Sequence, residues 1–177
     1  MMMDTIKIKL PKRKSPRLKG FNYNTSGYYF ITICTCNKAK TLCKVGAIHE
    51  SPETILSEQG RIVDDVINNL PSHLGVKIDK YVIMPNHIHF ILVVDKNNLS
   101  RAIHESPLQM RSAVDKTVGY TKMNVSKRIH QEISKEIVWQ RSYHDHIIRD
   151  EKDYLKIWQY IDTNPIKWEY DCFYTKT

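Results

Sequence analysis

The apolar positions along this chain switch between two periods, and the switches mark out its elements. Tyr28-Tyr-Phe-Ile-Thr-Ile-Cys-Thr-Cys36 is dense in β-branched and aromatic residues, which predicts a strand. Residues 41–48 predict a weaker strand, able to form a hairpin with Glu53-Thr-Ile-Leu56 across His49-Glu-Ser-Pro52. Ser57 stands where a helix N-cap is needed. Beyond it Ile62, Val63, Val66, Ile67 and Leu70 recur at helical spacing until Pro71 ends the run. Gly75 leads into a strand over 76–84. Pro85-Asn86 breaks it, and 87–94 resumes as a second strand, so the two form an antiparallel hairpin. Asp95-Lys-Asn-Asn98 is a turn. Residues 112–133 are helical in pattern, with Val114, Val118, Met123, Val125 and Ile129 apolar and Gly119 a weak point in mid-helix. Ile137-Val-Trp-Gln-Arg-Ser-Tyr143 predicts the last strand. A final helix opens near Asp150 and runs through Tyr154, Ile157, Trp158 and Ile161 to the Asn164-Pro165 interruption.

Apart from the short hairpin, the order is strand, helix, strand, strand, helix, strand, helix. A β-α-β-β-α-β core of this kind predicts an α+β, ferredoxin-like (RRM-like) fold: one antiparallel sheet with two helices on one face. The additional C-terminal helix is then free to cover part of the sheet or to reach its edge. Two domain-level units are expected: a basic arm over 1–20, extended by Pro11 and Pro16, and one domain over 21–177.

Charge adds a partner class to this picture. The net charge is +8 and the isoelectric point about 9.3. Residues 6–19 carry Lys7, Lys9, Lys12, Arg13, Lys14, Arg17 and Lys19 with no acid among them. Such a run either keeps a disordered tail solvated or neutralises phosphates. With ten tyrosines in the chain, nucleic acid is the favoured partner. Lys122, Lys127 and Arg128 on the long helix and Arg141 after it extend the candidate phosphate-binding set. No run of eighteen apolar residues exists, and the N-terminus lacks a signal-peptide layout, so a cytoplasmic protein with no membrane partner is expected. Cys34, Cys36, Cys43 and Cys172 do not make two ligand pairs and read as reduced, partly buried thiols. Ala-Ile-His-Glu-Ser-Pro occurs at 47–52 and again at 102–107, in loop-like places, and reads as a tolerated insertion.

The candidate chemistry sits in the most apolar stretch, Tyr81-Val-Ile-Met-Pro-Asn-His-Ile-His-Phe-Ile-Leu-Val-Val-Asp95. On a strand His87 and His89 project from the same face, while Ile88 points away. Paired neutral imidazoles suit a metal ion; alone, they equally suit two buried sheet histidines. A catalytic ion needs more ligands. Tyr160 and Asn164 lie one helical turn apart on the last helix, so an amide oxygen and a phenol share a face. Each also has a plain role, Tyr160 as a packed aromatic and Asn164 as a helix cap before proline. His144 and His146 repeat the i, i+2 spacing and, with Asp145 and Arg149, are supporting candidates.

Four separated blocks then carry a resemblance. Tyr81-Val-Ile-Met-Pro-Asn-His-Ile-His-Phe is similar to the His-hydrophobic-His signature of the HUH nucleases and transposases. Tyr160-Ile-Asp-Thr-Asn-Pro165 resembles the block that holds the single catalytic tyrosine of REP-associated tyrosine transposases, relatives of the single-tyrosine insertion-sequence transposases. Ser15-Pro-Arg-Leu-Lys-Gly-Phe-Asn-Tyr23 running into Tyr29-Phe-Ile-Thr-Ile-Cys34, and the stretch from Trp139 to Arg149, resemble the same family, in the same order. The resemblance implies a metal-dependent DNA strand transferase. His87, His89 and Asn164 would hold Mg²⁺ or Mn²⁺, and Tyr160 would attack a scissile phosphate of single-stranded DNA beside a hairpin, a palindromic repeat. A 5′-phosphotyrosine and a free 3′-OH would result. The insertion-sequence relatives carry glutamine where Asn164 stands. They also place the tyrosine helix in a partner's site, which leaves a homodimer open. A cytoplasmic, nucleoid-associated setting goes with this reading. The duplicated Ala-Ile-His-Glu-Ser-Pro segments are foreign to the family pattern.

Two other classes fit parts of the sequence. One is a non-catalytic ferredoxin-like module binding single-stranded nucleic acid, although no RNP-like glycine-aromatic block occurs. The other is a phosphodiesterase using water on a metal held by His87, His89, His144 and His146.

Overall fold

In the computed structural model the described residues are 21–23, 25–46, 54–95 and 112–176. The basic arm and both Ala-Ile-His-Glu-Ser-Pro copies lie outside them, and with them Lys12, Arg13, Lys14, Arg17 and Lys19.

Four strands form one antiparallel sheet in the order β4-β5-β1-β6, with β1 at Gly27–Cys34, β4 at Val76–Met84, β5 at His87–Val94 and β6 at His144–Ile148. This is the ferredoxin-like order expected from the element sequence. A separate short hairpin joins β2 (Cys43–Val45) to β3 (Thr54–Leu56). The helices are α1 (Glu58–Asn68), α2 (Ala113–Glu132) and α3 (Glu151–Thr163). Each begins where a side chain can take an orphan N–H: Ser57 accepts from Gly60, Ser112 from Asp115 and Asp150 from Asp153.

The two sheet faces are occupied differently. Tyr29, Ile31 and Ile33 of β1 and Ile88, Phe90, Leu92 and Val94 of β5 pack with Ile62, Val63, Val66 and Ile67 of α1 and Val114, Val118, Val125 and Ile129 of α2. That is the larger core. On the opposite face, Ile91 and Ile148 pack with Ile157 and Ile161 of α3, flanked by Phe30, Val82 and Tyr154. The C-terminal helix therefore covers the second face of the sheet. Period-2 alternation within β1 and β5 sends every other side chain to each core, so the strands are buried on both sides and show a nearly continuous apolar run.

One boundary departs from the sequence expectation. Residues 137–143 are not the last strand; His144–Ile148 is. The earlier stretch does approach β1, through a bridge between Thr35 and Trp139 and the bonds Cys36 N→Val138 O (2.9 Å) and Gln140 N→Cys34 O (3.0 Å). Its register is two residues out of step with that of β6, in which Thr32 faces His144 and Tyr28 faces Ile148. The intervening stretch therefore carries a bulge of two extra residues. Lys122 of α2 holds that bulge, its Nζ donating to the carbonyls of Gln140 (2.8 Å) and Ser142 (2.8 Å). The apolar pattern alone gives no signal for this, because the bulge is fixed by a lysine eighteen or more residues upstream.

Of the cysteines, Cys34 and Cys43 are buried free thiols, Cys36 is half-buried and Cys172 is exposed. Among the described residues no helix is long and apolar enough to cross a membrane.

Candidate active site

β5 is an inner strand, paired with β1 on one side and β4 on the other. His87 faces Cys34 and Met84, and His89 faces Thr32 and Val82. Both imidazoles therefore lie on the α3 side, their ring centres 4.4 Å apart. Neither is exposed by more than 1%.

Each imidazole is anchored through Nδ1. His87 Nδ1 lies 2.8 Å from Asn86 Oδ1, and Asn86 Nδ2 donates to Phe173 O at 2.9 Å. The Asn86 oxygen can only accept, so His87 carries its proton on Nδ1 and presents a lone pair at Nε2. That Nε2 is buried and without a partner. His89 Nδ1 lies 2.8 Å from Thr32 Oγ1, and its Nε2 lies 3.3 Å from Tyr160 Oη. Burial pulls the His87 pKa down to about 4, partly opposed by the charge of Asp171. Burial, and then His87 beside it, push His89 well below its ordinary value. Both are neutral at neutral pH, the form that ligates metal.

α3 supplies Tyr160 and Asn164. Ile157 and Ile161 point into the second core, and this fixes the helix rotation. Tyr160 then comes beside the histidines, its ring 5.3 Å from that of His89 and 6.0 Å from Phe30. Asn164, just past the last helical residue, is 2% exposed. Its Oδ1 is buried without a partner.

Beyond Pro165 the chain turns through a short 3-10 segment, Trp168–Tyr170, and returns over the histidines. Trp168 lies 5.8 Å from the His87 ring and Phe173 4.8 Å from it. This return delivers Asp171. Its Oδ2 accepts from Tyr160 O–H at 2.6 Å and from Asn164 Nδ2–H at 2.8 Å, while its Oδ1 accepts from Phe173 N at 2.7 Å. Burial first, and then the hydrogen bond to Asp171 and its charge, hold the Tyr160 pKa well above that of a free tyrosine.

Among the described residues, His87, His89 and Asp171 form a cluster whose candidate ligand atoms all lie within 4.8 Å of one another. Two imidazoles, a carboxylate and the unpartnered amide oxygen of Asn164 are donors that suit a divalent cation of the Mn²⁺ or Mg²⁺ kind. The residues present thus fit a metal ion.

The remaining sequence candidates are spread around this centre. His146 pairs with Asp153 at 2.8 Å on the N-terminal turn of α3, and His144 is exposed, its ring 5.9 Å from Phe173. Neither belongs to the cluster. Arg149 lines a cavity of about 360 Å³ with Tyr28, Ile148 and Tyr154, at the far end of α3 from Tyr160. Arg128 pairs with Asp65 and Glu132. Lys127 and Arg141 are exposed. Lys122 is drawn to the 140–142 carbonyls, and burial lowers its pKa to about 8.

Sequence reasoning missed Asp171, Thr32, Asn86 and Phe173. Thr32 and Asn86 lie within the family-like blocks, but only pairing register shows that they touch the histidine Nδ1 atoms. Asp171 follows a proline and a 3-10 turn, so no periodicity links it to Tyr160.

The fold and this centre define a class: an α+β domain whose sheet histidines face a helix tyrosine across a potential metal site. A solved structure described as a "REP associates tyrosine transposase bound to a REP hairpin" shares the fold, with a TM-score of 0.58 at 17% identity, over 90% of this chain and 76% of that one. An "Uncharacterized protein" of Haemophilus influenzae is 39% identical over 173 residues, 92% of this chain and 93% of its own length. A second protein of that organism, named "Putative REP-associated tyrosine transposase", is 28% identical over 101 residues, 52% of this chain and 56% of that protein. No family model matches the chain. The chain belongs to the same family as the 39%-identical Haemophilus protein; it is similar to REP-associated tyrosine transposases in fold and over about half of its sequence.

Proposed function

We propose that this protein is a metal-dependent DNA strand transferase that cleaves and rejoins single-stranded DNA beside a hairpin, with Tyr160 as nucleophile. The observation that carries it is the placement of the Tyr160 hydroxyl 3.3 Å from the Nε2 of His89, within a cluster of buried metal-type donors. His87 and His89, with Asn164, hold Mg²⁺ or Mn²⁺ in this reading. The bound cation supplies Lewis-acid polarisation of the scissile phosphate and offsets charge in the transition state.

The protein's own residues do the rest. Phe30 and His89 fix the Tyr160 ring from the side, which limits its angle of approach to an incoming phosphate. Tyr160 Oη forms the new bond to phosphorus while the bond to the 3′ oxygen breaks. The phenol loses its proton and the departing 3′ oxygen gains one. The product is a 5′-phosphotyrosine with a free 3′-OH, and reversal of the same step rejoins strands without ATP. Deprotonation is the difficult part, because burial and the nearby Asp171 charge both favour the neutral phenol. Positive charge near Asp171 lowers that barrier.

The solved relative is described as bound to a REP hairpin, which supports the choice of a hairpin-bearing substrate. The basic arm, with Lys12, Arg13, Lys14, Arg17 and Lys19, together with Lys127 and Arg141, supplies phosphate contacts in this reading.

The test is incubation of the full chain with hairpin-bearing single-stranded DNA and Mn²⁺, followed by denaturing electrophoresis. A protein–DNA adduct is expected, absent in Tyr160→Phe. Cleavage without an adduct, or an adduct that survives in Tyr160→Phe, overturns the assignment.

A further inference from the structure

Asp171 sits at a junction that no single role explains. One carboxylate oxygen, Oδ2, accepts two hydrogen bonds, from the nucleophile Tyr160 (2.6 Å) and from Asn164 (2.8 Å). The other oxygen accepts from the backbone N–H of Phe173 at 2.7 Å. A carboxylate oxygen offers about two lone-pair sites, so Oδ2 is filled. Yet the same carboxylate approaches His87 and His89 closely enough for all three ligand atoms to fall within 4.8 Å. His87 Nε2 is buried there with no donor to meet it. A lone pair without a donor beside an anion is an arrangement that a cation completes and a proton on Tyr160 only partly relieves.

We propose that Asp171 is a metal ligand of the His87–His89 site, and that the cation and the Tyr160 hydroxyl compete for its Oδ2. This rests on the reading of the two histidines as metal ligands. It departs from that reading in two respects: the carboxylate comes from the segment after α3, and loading the cation releases the nucleophile. Without the ion, Asp171 holds the Tyr160 proton. With the ion, Oδ2 turns to the metal, and the phenol loses its hydrogen-bond acceptor. Asn164 Nδ2 keeps its hydrogen bond to Asp171 and orients the carboxylate, while its Oδ1 stays available to the cation.

The experiment is Mn²⁺ binding to the full chain by calorimetry, without DNA, for wild type, His87→Ala, Asp171→Asn, Asp171→Glu and Tyr160→Phe. Thermal unfolding in a chelator confirms that each variant is folded. His87→Ala and Asp171→Asn are each expected to weaken binding about tenfold or more. Asp171→Glu keeps the charge and is expected to bind more tightly than Asp171→Asn. Tyr160→Phe removes the competing donor and is expected to bind Mn²⁺ severalfold more tightly than wild type. If His87→Ala binds as wild type does, the histidine site itself fails. If His87→Ala is weak but Asp171→Asn matches wild type, or Asp171→Glu is no better than Asp171→Asn, the histidine site stands and the Asp171 assignment is overturned. Unchanged or weaker binding by Tyr160→Phe overturns the competition.

Discussion

Tyr160 and Asp171, eleven residues apart, are joined by a hydrogen bond of 2.6 Å from the phenol O–H to the carboxylate Oδ2. The bond is made by a helix on one side and a returning tail on the other. It fixes the protonation behaviour of Tyr160. Tyr160 is held above the ordinary tyrosine value of 10.0 by burial and by this carboxylate. Alkaline titration by ultraviolet difference absorbance, wild type minus Tyr160→Phe, should show one phenol titrating above the ordinary range in metal-free protein. Asp171→Asn should bring that phenol down. The sign for stability follows: a raised folded pKa means stability that is present below pH ~10 and is lost as pH rises through the folded value.

The two histidines govern the acid side. Their folded pKa values are depressed, that of His87 to about 4 from 6.5. The unfolded chain therefore takes up protons first, and stability is lost as pH falls from about 6.5 toward the folded value. For His87 alone this amounts to roughly 3 kcal/mol at full extent. Thermal unfolding in chelator at a series of pH values from neutral to about 4.5 should show a falling Tm. His87→Gln should flatten the dependence. An equally steep fall in that variant would contradict the buried, neutral state of His87.

Two glycines make opposite predictions. A Cβ on Gly60 would meet Leu42 O at 2.0 Å, because α1 starts against the chain at Thr41 and Leu42, where Ser57 is hydrogen-bonded. Gly60→Ala should destabilise by roughly 1–3 kcal/mol. Gly119, in the middle of α2, has nothing within 4 Å of its Cβ position. Gly119→Ala should stabilise by about 0.5–1 kcal/mol. Urea denaturation of the two variants measures both.

Lys122 is a structural cation. Its ammonium donates to the Gln140 and Ser142 carbonyls at 2.8 Å each. Lys122→Met should cost roughly 1–3 kcal/mol of stability. It should change the salt slope of DNA binding little. An unchanged stability with a clearly shallower salt slope would place Lys122 on the DNA instead.

The arm should behave in the opposite way. Replacing Lys12, Arg13, Lys14, Arg17 and Lys19 by glutamine should leave the unfolding midpoint unchanged. It should make the salt dependence of single-stranded DNA binding shallower, by about 0.7 in log–log slope for each phosphate that is no longer neutralised. Fluorescence anisotropy across a salt series reads this directly, and an unaltered slope would remove the arm from the interface.

Much of this was legible in residue order because it depends on short-range chemistry. A density of β-branched and aromatic residues marked β1, the Pro85-Asn86 break marked the start of β5, helical spacing marked α1 and α3, and Ser57 supplied a cap that local sequence can show. His87 and His89 could be placed on one face from strand period alone, and Tyr160 and Asn164 on one helical face. The position of β6 was not legible, because the 140–142 bulge depends on Lys122 from another element.

The sequence by itself determined the element order and the two pairs of candidate residues, since each follows from spacing within a single strand or helix. Only the tertiary structure decided that the two pairs meet. Sheet order puts β5 between β1 and β4, and Ile157 and Ile161 seat α3 on the free face of that sheet. The turn after Pro165 then carries Asp171 back to both Tyr160 and Asn164. Interactions of this kind join residues with no common period, so no pattern along the chain encodes them; they exist only once the second core has closed.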